Sequence, residues 1–251
     1  NELPEHRHFI KSLVTDNKAI SKHYISQLGK LDKISKERLL FGNWEYNDDD
    51  ALLFDYDSLQ DMFTNEYVEE GTKIITCDVA RFGDDKTVIC LWNGLRLEKI
   101  LSFDKTSVLE VVTEINTMCL KYGIPNSKVV IDSDGVGGGV KDYISGSVGF
   151  TNGGKALKGE NYQNLKTQCY YKLAEVVNAG GLYISDTRYR DSIISELEIV
   201  KRAKVDKDSQ KLSIEGKDIQ KTKLGHSPDY ADAIMMRMWF HIKKNYGEYA
   251  F

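Results

Sequence analysis

Between residues 72 and 103 the chain lays down three short apolar runs in quick succession, too closely spaced and too β-branched to form helices. They cover residues 72–80, 87–92 and 95–103. The first gap, Arg81-Phe82-Gly83-Asp84-Asp85-Lys86, is built from turn-forming residues. The second is Asn93-Gly94, a strong signal for a two-residue hairpin. The pattern predicts a three-strand antiparallel meander. From Ser107 the periodicity changes to that of a helix over residues 107–121, with Ser107 as its cap and Val108, Val111, Val112, Ile115 and Leu120 on the apolar side. Strands are predicted at 128–132 and 148–151, with a short extended segment at 182–185. A helix is predicted from the end of the glycine loop 135–139 to about residue 144, further helices at 162–179, 189–199 and 228–243, and a charged hairpin at 200–224. A meander followed by alternating helix and strand defines a mixed α/β fold.

A chain of 251 residues is long enough to bury a sizeable core around such a sheet. No apolar run reaches the roughly 18 residues that span a bilayer, so no membrane segment is expected. Cys77, Cys90, Cys119 and Cys169 are far apart with no CxxC pair, which argues against a zinc ribbon and for a reducing compartment. The net charge of −4 is unevenly spread. Residues 43–70 hold ten acids and no Lys or Arg, whereas residues 200–224 hold eight bases against four acids. A basic segment of this kind suits a phosphate backbone, and Lys204, Lys207, Lys211, Lys217, Lys221 and Lys223 are its candidate contacts.

Three aspartates carry the chemistry. Asp78 ends the first apolar run, Asp132 ends Val129-Val130-Ile131, and Asp229 opens the final helix after Ser227-Pro228. Each alone reads as a turn or helix-start residue. Taken together they constrain more, because the first and fourth strands of such a sheet commonly lie side by side. The final helix is apolar almost all round and must be buried, which delivers its start to the sheet. Ionised carboxylates beside a hydrophobic core need compensation. Hard divalent cations take oxygen ligands of this kind, and a pair of them can drive an in-line displacement at phosphorus. The candidate catalytic residues and metal ligands are therefore Asp78, Asp132 and Asp229, for Mg²⁺ or Mn²⁺, with Asp84, Asp85, Asp134 and Asp232 nearby as accessory acids.

The segments Cys77-Asp78-Val79-Ala80-Arg81-Phe82-Gly83-Asp84-Asp85-Lys86-Thr87, 132–139 and His226-Ser227-Pro228-Asp229-Tyr230-Ala231-Asp232-Ala233 resemble the nuclease domain of tailed-bacteriophage large terminase subunits, in the RNase H-like superfamily. Arg38-Leu39-Leu40-Phe41-Gly42-Asn43-Trp44 and Asn161-Tyr162-Gln163-Asn164-Leu165-Lys166-Thr167-Gln168 are similar to further segments of that family. The resemblance implies an RNase H-like mixed sheet at 71–251. Residues 1–70 would then be a helical attachment segment from an ATPase domain, and this sequence contains no GxxxxGK[ST] loop of its own. It further implies a metal-dependent endonuclease that cleaves double-stranded DNA during viral genome packaging by two-metal phosphodiester hydrolysis, using two Mg²⁺ or Mn²⁺ ions. Asp78, Asp132 and Asp229 carry over as ligands, Asp232 as the acid that follows within the helix, and Asp85 or Asp84 as an accessory. The implied partners are the terminase ATPase domain, the small terminase subunit and the portal, in the host cytoplasm. One departure stands out: many relatives pair two aspartates at the third motif, where this chain has Pro228-Asp229.

Other readings have less behind them. The Gly135-Val136-Gly137-Gly138-Gly139-Val140 loop misses the GxGxxG spacing of a dinucleotide site and fits a tight turn. His6, His8, His23, His226 and His241 form no zinc set, and Ser133 has no histidine–acid pair. A junction resolvase or ribonuclease H of the same superfamily is the nearest enzymatic alternative, and a non-catalytic interaction module of the packaging motor is the nearest alternative of another class. An actin-like ATPase half lacks a second phosphate loop.

Overall fold

The structure is a computed structural model and describes residues 51–80, 85–135, 137–203 and 211–244. The helical segment expected before residue 50, the turn residues 81–84 with Asp84, and Lys204 and Lys207 lie outside the described residues. The chain divides into two units, Asn1–Asp50 and Ala51–Phe251, and the second is described below.

At its centre is a six-stranded sheet in the order β5-β4-β1-β2-β3-β6. Its strands are β1 (Lys73–Asp78), β2 (Thr87–Asn93), β3 (Arg96–Phe103), β4 (Val129–Asp132), β5 (Val148–Phe150) and β6 (Tyr183–Ile184). The first three pair antiparallel, as the turn signals predict, while β4 joins β1, β5 joins β4 and β6 joins β3 in parallel. Every residue of β2 is buried, which requires cover on both faces of the sheet. The β1–β2 hairpin sits centrally and receives that cover.

On one face, Ile75, Cys77, Ile89, Leu91, Val129 and Ile131 pack against a layer of two helices, α2 (Val108–Tyr122) and α3 (Gly137–Tyr143). Helix α2 is held by a capping box between Ser107 and Glu110, and it ends at Gly123 in the left-handed conformation. On the other face, Ile74, Val88, Cys90, Trp92 and Val130 meet the larger cluster. That cluster is built from α1 (Tyr56–Asp61), α4 (Leu165–Asn178), α5 (Arg190–Glu198), α7 (Asp229–Met235) and α8 (Met238–Lys244).

Residues 51–70 belong to this packed unit. Leu53, Phe54, Leu59, Met62 and Phe63 are buried in the larger cluster, and Met62 O accepts the amide of Ile184 at 2.7 Å. The acidic residues of that stretch project outward while its apolar ones supply core.

Two elements differ from the expectation. The region 200–224 is only partly a hairpin: β7 (Arg202–Ala203) pairs with β8 (Ser213–Ile214), and residues 217–224 form a helix, α6 (Lys217–Leu224). Gly225 ends α6 at φ +80°, and lysines with Gln220 between them are good helix formers. The charge density hid this period. The final helix is also interrupted, with α7 and α8 separated at Met236–Arg237, where the Arg237 guanidinium turns back to donate to Gly94 O. The glycine loop after β4 proves to be a close-packing device. A Cβ on Gly137 would lie 1.6 Å from Asp132 O, so only glycine lets α3 start against the end of β4.

Candidate metal centre

Asp78 and Asp132 are the last residues of β1 and β4. These strands run parallel with Cys77 opposite Ile131, so the two aspartates follow side by side. Side chains alternate along a strand, which puts Asp78 on the face of Ile74 and Thr76. That face meets α7: Thr76 Oγ1 donates to Ala233 O at 2.7 Å and accepts from Trp92 Nε1 at 3.1 Å. The start of α7 is thereby held at the carboxyl end of β1, and the Lys86 amide, just before β2, donates to Asp229 Oδ2 at 2.6 Å. Three distant stretches of sequence thus deliver Asp78, Asp132 and Asp229 to one end of the sheet.

Their charges are unequally compensated. Asp78 is 6% exposed, and no hydrogen bond from a described residue reaches its carboxylate. Burial pushes its proton affinity well up, Asp232, Asp132 and Asp229 push it further, and only Lys217 opposes them. Asp132 is also raised by burial, against hydrogen bonds to the Asp134 amide (2.9 Å) and the Asn152 side chain (3.1 and 3.2 Å). Asp229 is 4% exposed and raised by burial, against the Lys86 amide.

Asp232 behaves differently. Burial works against its charge, yet Lys166 and Lys217 outweigh it and hold the carboxyl below its ordinary range. Lys166 Nζ lies 2.7 Å from Oδ1, the Tyr170 hydroxyl donates to Oδ1 at 2.7 Å, and Lys217 Nζ lies 3.3 Å from Oδ2. Asp232 is therefore already balanced by protein groups, whereas for Asp78, Asp132 and Asp229 burial outweighs the groups that oppose it and leaves all three raised.

Oxygens on largely buried, mutually repelling carboxylates are the donor chemistry of a hard divalent cation. The residues fit such an ion, though they are not closed around a point. Among the described residues, no three His, Cys, Asp or Glu side chains are close enough together to hold one metal. Lys217 is the positive charge that Asp78, Asp229 and Asp232 have in common, and these acids in turn hold it protonated against the opposing effect of burial.

The accessory acids fall in distinct places. Asp134 Oδ2 accepts both the backbone amide and the side chain of Asn152, each at 2.9 Å, so Asn152 bridges Asp132 and Asp134. Asp85 pairs with Lys221 at 3.0 Å. Of the lysines expected to meet DNA, Lys217 and Lys221 stand at the acids, Lys223 pairs with Glu215, and Lys211 is exposed away from β7 and β8 pairing.

Sequence reasoning missed Lys166, Tyr170, Asn152 and Glu196 as contributors. Lys166 and Tyr170 stand four apart on α4 and both reach Asp232, a spacing visible in the sequence but uninformative without the partner helix. Glu196 on α5 is fully buried and accepts the Ala231 amide at 2.9 Å.

The fold is a mixed six-stranded sheet of the RNase H-like kind, with helices on both faces and an aspartate at the end of each of two adjacent strands. Among solved structures the chain is similar to the nuclease domain of the large terminase subunit gp2 of bacterial virus Sf6, with TM-score 0.64 and 19% identity over 74% of this chain and 98% of that one. Mutant forms of that domain with manganese and with calcium superpose at TM-score 0.62 and 18% identity, again over 74% of this chain and 98% of theirs. The likeness is one of fold, the fold expected from the three acidic motifs. No family model matches the chain, and no curated protein matches its sequence.

Proposed function

We propose that this chain is the nuclease part of a phage DNA-packaging terminase, a metal-dependent endonuclease acting on double-stranded DNA. The observation that carries the reading is Asp78, a buried carboxylate without a hydrogen-bond partner among the described residues, set beside Asp132 and facing the start of the helix that brings Asp229. Supporting it are the shared fold with the Sf6 domain and the manganese and calcium present in structures of that domain.

Two Mg²⁺ or Mn²⁺ ions at Asp78, Asp132 and Asp229 would supply an acidified water and neutralise the charge that develops on the scissile phosphate. The chain's own groups do the rest. Asp132 is oriented by Asn152 and the Asp134 amide, and Asp229 by the Lys86 amide. Asp232, with Lys166 and Tyr170, fixes α7 against α4 and keeps its own charge occupied. Lys217 and Lys221 bring positive charge to the rim, suited to a phosphate backbone without reading bases. The ATPase domain, small subunit and portal are the partners this role requires, in the cytoplasm of the host. No helix among the described residues is long and apolar enough to cross a membrane.

A second reading, a non-catalytic module of the motor, draws support from the absence of a closed three-donor set among the described residues. Plasmid nicking separates the two. The nuclease reading expects Mg²⁺- or Mn²⁺-dependent nicking that Asp132→Asn abolishes; nicking that survives EDTA, or that Asp132→Asn leaves intact, refutes it. Branched DNA and RNA–DNA hybrids in the same assay test the resolvase and ribonuclease H alternatives.

A further inference from the structure

The helix that presents Asp229 and Asp232 has no cap of its own. Pro228 precedes α7, and no side chain at that position accepts a first-turn amide. The Asp232 amide is satisfied by Pro228 O at 2.9 Å. The Ala231 amide, third in the helix, is the donor that an N-cap Ser, Thr, Asp or Asn normally takes. Here it is taken from another element, because Glu196 Oε2 on α5 accepts it at 2.9 Å. Glu196 is 0% exposed, and Ile193, Ile194 and Leu197 of the same helix are buried with it. Its second oxygen, Oε1, has no hydrogen-bond partner and lies 3.8 Å from Nδ1 of His226, whose ring nitrogen is 2.7 Å from Ser227 O. The one carboxylate therefore touches the chain on both sides of Asp229.

A buried acid so close to Asp229 and Asp232 is an expensive choice. Burial, followed by those two acids, pushes its proton affinity up to about 8. A local cap on α7 would avoid that cost, but it would add no hydrogen bond between α7 and α5. The tertiary cap ties the height of α7 to a helix packed under the sheet.

We propose that Glu196 is a positioning residue of the metal centre: its hydrogen bond to Ala231 sets the axial position of α7, and with it the reach of Asp229 toward Asp78 and Asp132. The role rests on the nuclease reading above. The hydrogen-bond acceptor matters here and the negative charge does not, so glutamine can replace glutamate and an apolar side chain of similar volume cannot.

The test is Mn²⁺ binding by titration calorimetry in the wild-type chain, Glu196→Gln and Glu196→Met, each first shown to be folded by near-ultraviolet circular dichroism at the working temperature. Partners that orient metal ligands typically contribute 10–100-fold in affinity, so Glu196→Met is expected to weaken binding about tenfold or more and Glu196→Gln to stay within about threefold of wild type. A loss of stability alone, with the folded fraction binding Mn²⁺ as wild type does, overturns the proposal, as does a loss in Glu196→Gln equal to that in Glu196→Met. Should Glu196→Met fail to fold, amide exchange in the wild-type chain reads the same contact: Mn²⁺ must slow exchange at Ala231, and an unchanged rate overturns the role. An absence of Mn²⁺ binding in the wild-type chain overturns the nuclease reading itself, whereas binding that Glu196→Met leaves intact removes only the role of Glu196.

Discussion

Glu196 also makes stability depend on pH in a calculable way. Its carboxyl moves from the ordinary 4.5 to about 8 on folding, chiefly through burial and secondarily through Asp229 and Asp232. Between those two values the folded chain holds a proton that the unfolded chain has released. The folded state binds more protons there, so stability falls as pH rises from about 4.5 to about 8 and is flat beyond. At about 1.36 kcal/mol for each tenfold change in proton affinity, the interval corresponds to an upper limit of roughly 5 kcal/mol. Local relaxation and water entry reduce such penalties, and about 2 kcal/mol or more should survive for a group this buried. Glu196→Gln removes the ionisation and keeps an acceptor for Ala231. Urea unfolding of both proteins, metal-free, at intervals from pH 5 to pH 9 reads the effect as the difference between the two curves, which cancels the raised acids common to both. The variant is expected to gain on the wild type as pH rises and to exceed it at pH 9. A difference that does not change with pH would show that Glu196 ionises as an ordinary carboxylate.

Other perturbations give equally definite outcomes. Lys217→Met removes the ammonium shared by Asp78, Asp229 and Asp232; with less competing positive charge, Mn²⁺ affinity by calorimetry should rise several-fold, and an unchanged or weaker affinity contradicts the charge-sharing account. Gly137→Ala places a methyl 1.6 Å from Asp132 O, so it should cost ~3 kcal/mol or more by displacing β4 or α3, seen as a lowered urea midpoint. Thr76→Val strips the bond to Ala233 O and the partner of Trp92 Nε1; each buried polar group left unpaired costs about 1–3 kcal/mol, and a thermal midpoint equal to wild type would show that α7 is held by packing alone.

Much of the sheet can be read from the chain because its signals are local. Asn93-Gly94 and the apolar runs around it encode the meander, and Gly94 takes φ +67° as that turn requires. Ser107 with Glu110 encodes the start of α2. Asp78, Asp132 and Asp229 stand out because each interrupts an apolar pattern at an element end. The region 200–224 misleads, since alternating lysines and acids have similar polarity in a hairpin and in an exposed helix, and only Gly216 and Gly225 at its ends mark α6. The surroundings of the acids are less legible still. Asn152 reaches Asp132 across twenty residues and Glu196 reaches Ala231 across thirty-five, through packing that no local period records. Residues 51–70 read as the end of an attachment segment because acids dominate their composition, while five apolar side chains among them enter the core.

The central claim is that Asp78, Asp132 and Asp229 together hold divalent cations. Anomalous diffraction from a crystal soaked in Mn²⁺ addresses it directly. The account predicts manganese peaks within coordination distance of Asp78 and Asp132, with Lys217 withdrawn from Asp232; peaks confined to surface carboxylates, with Lys217 still paired to Asp232, would contradict it.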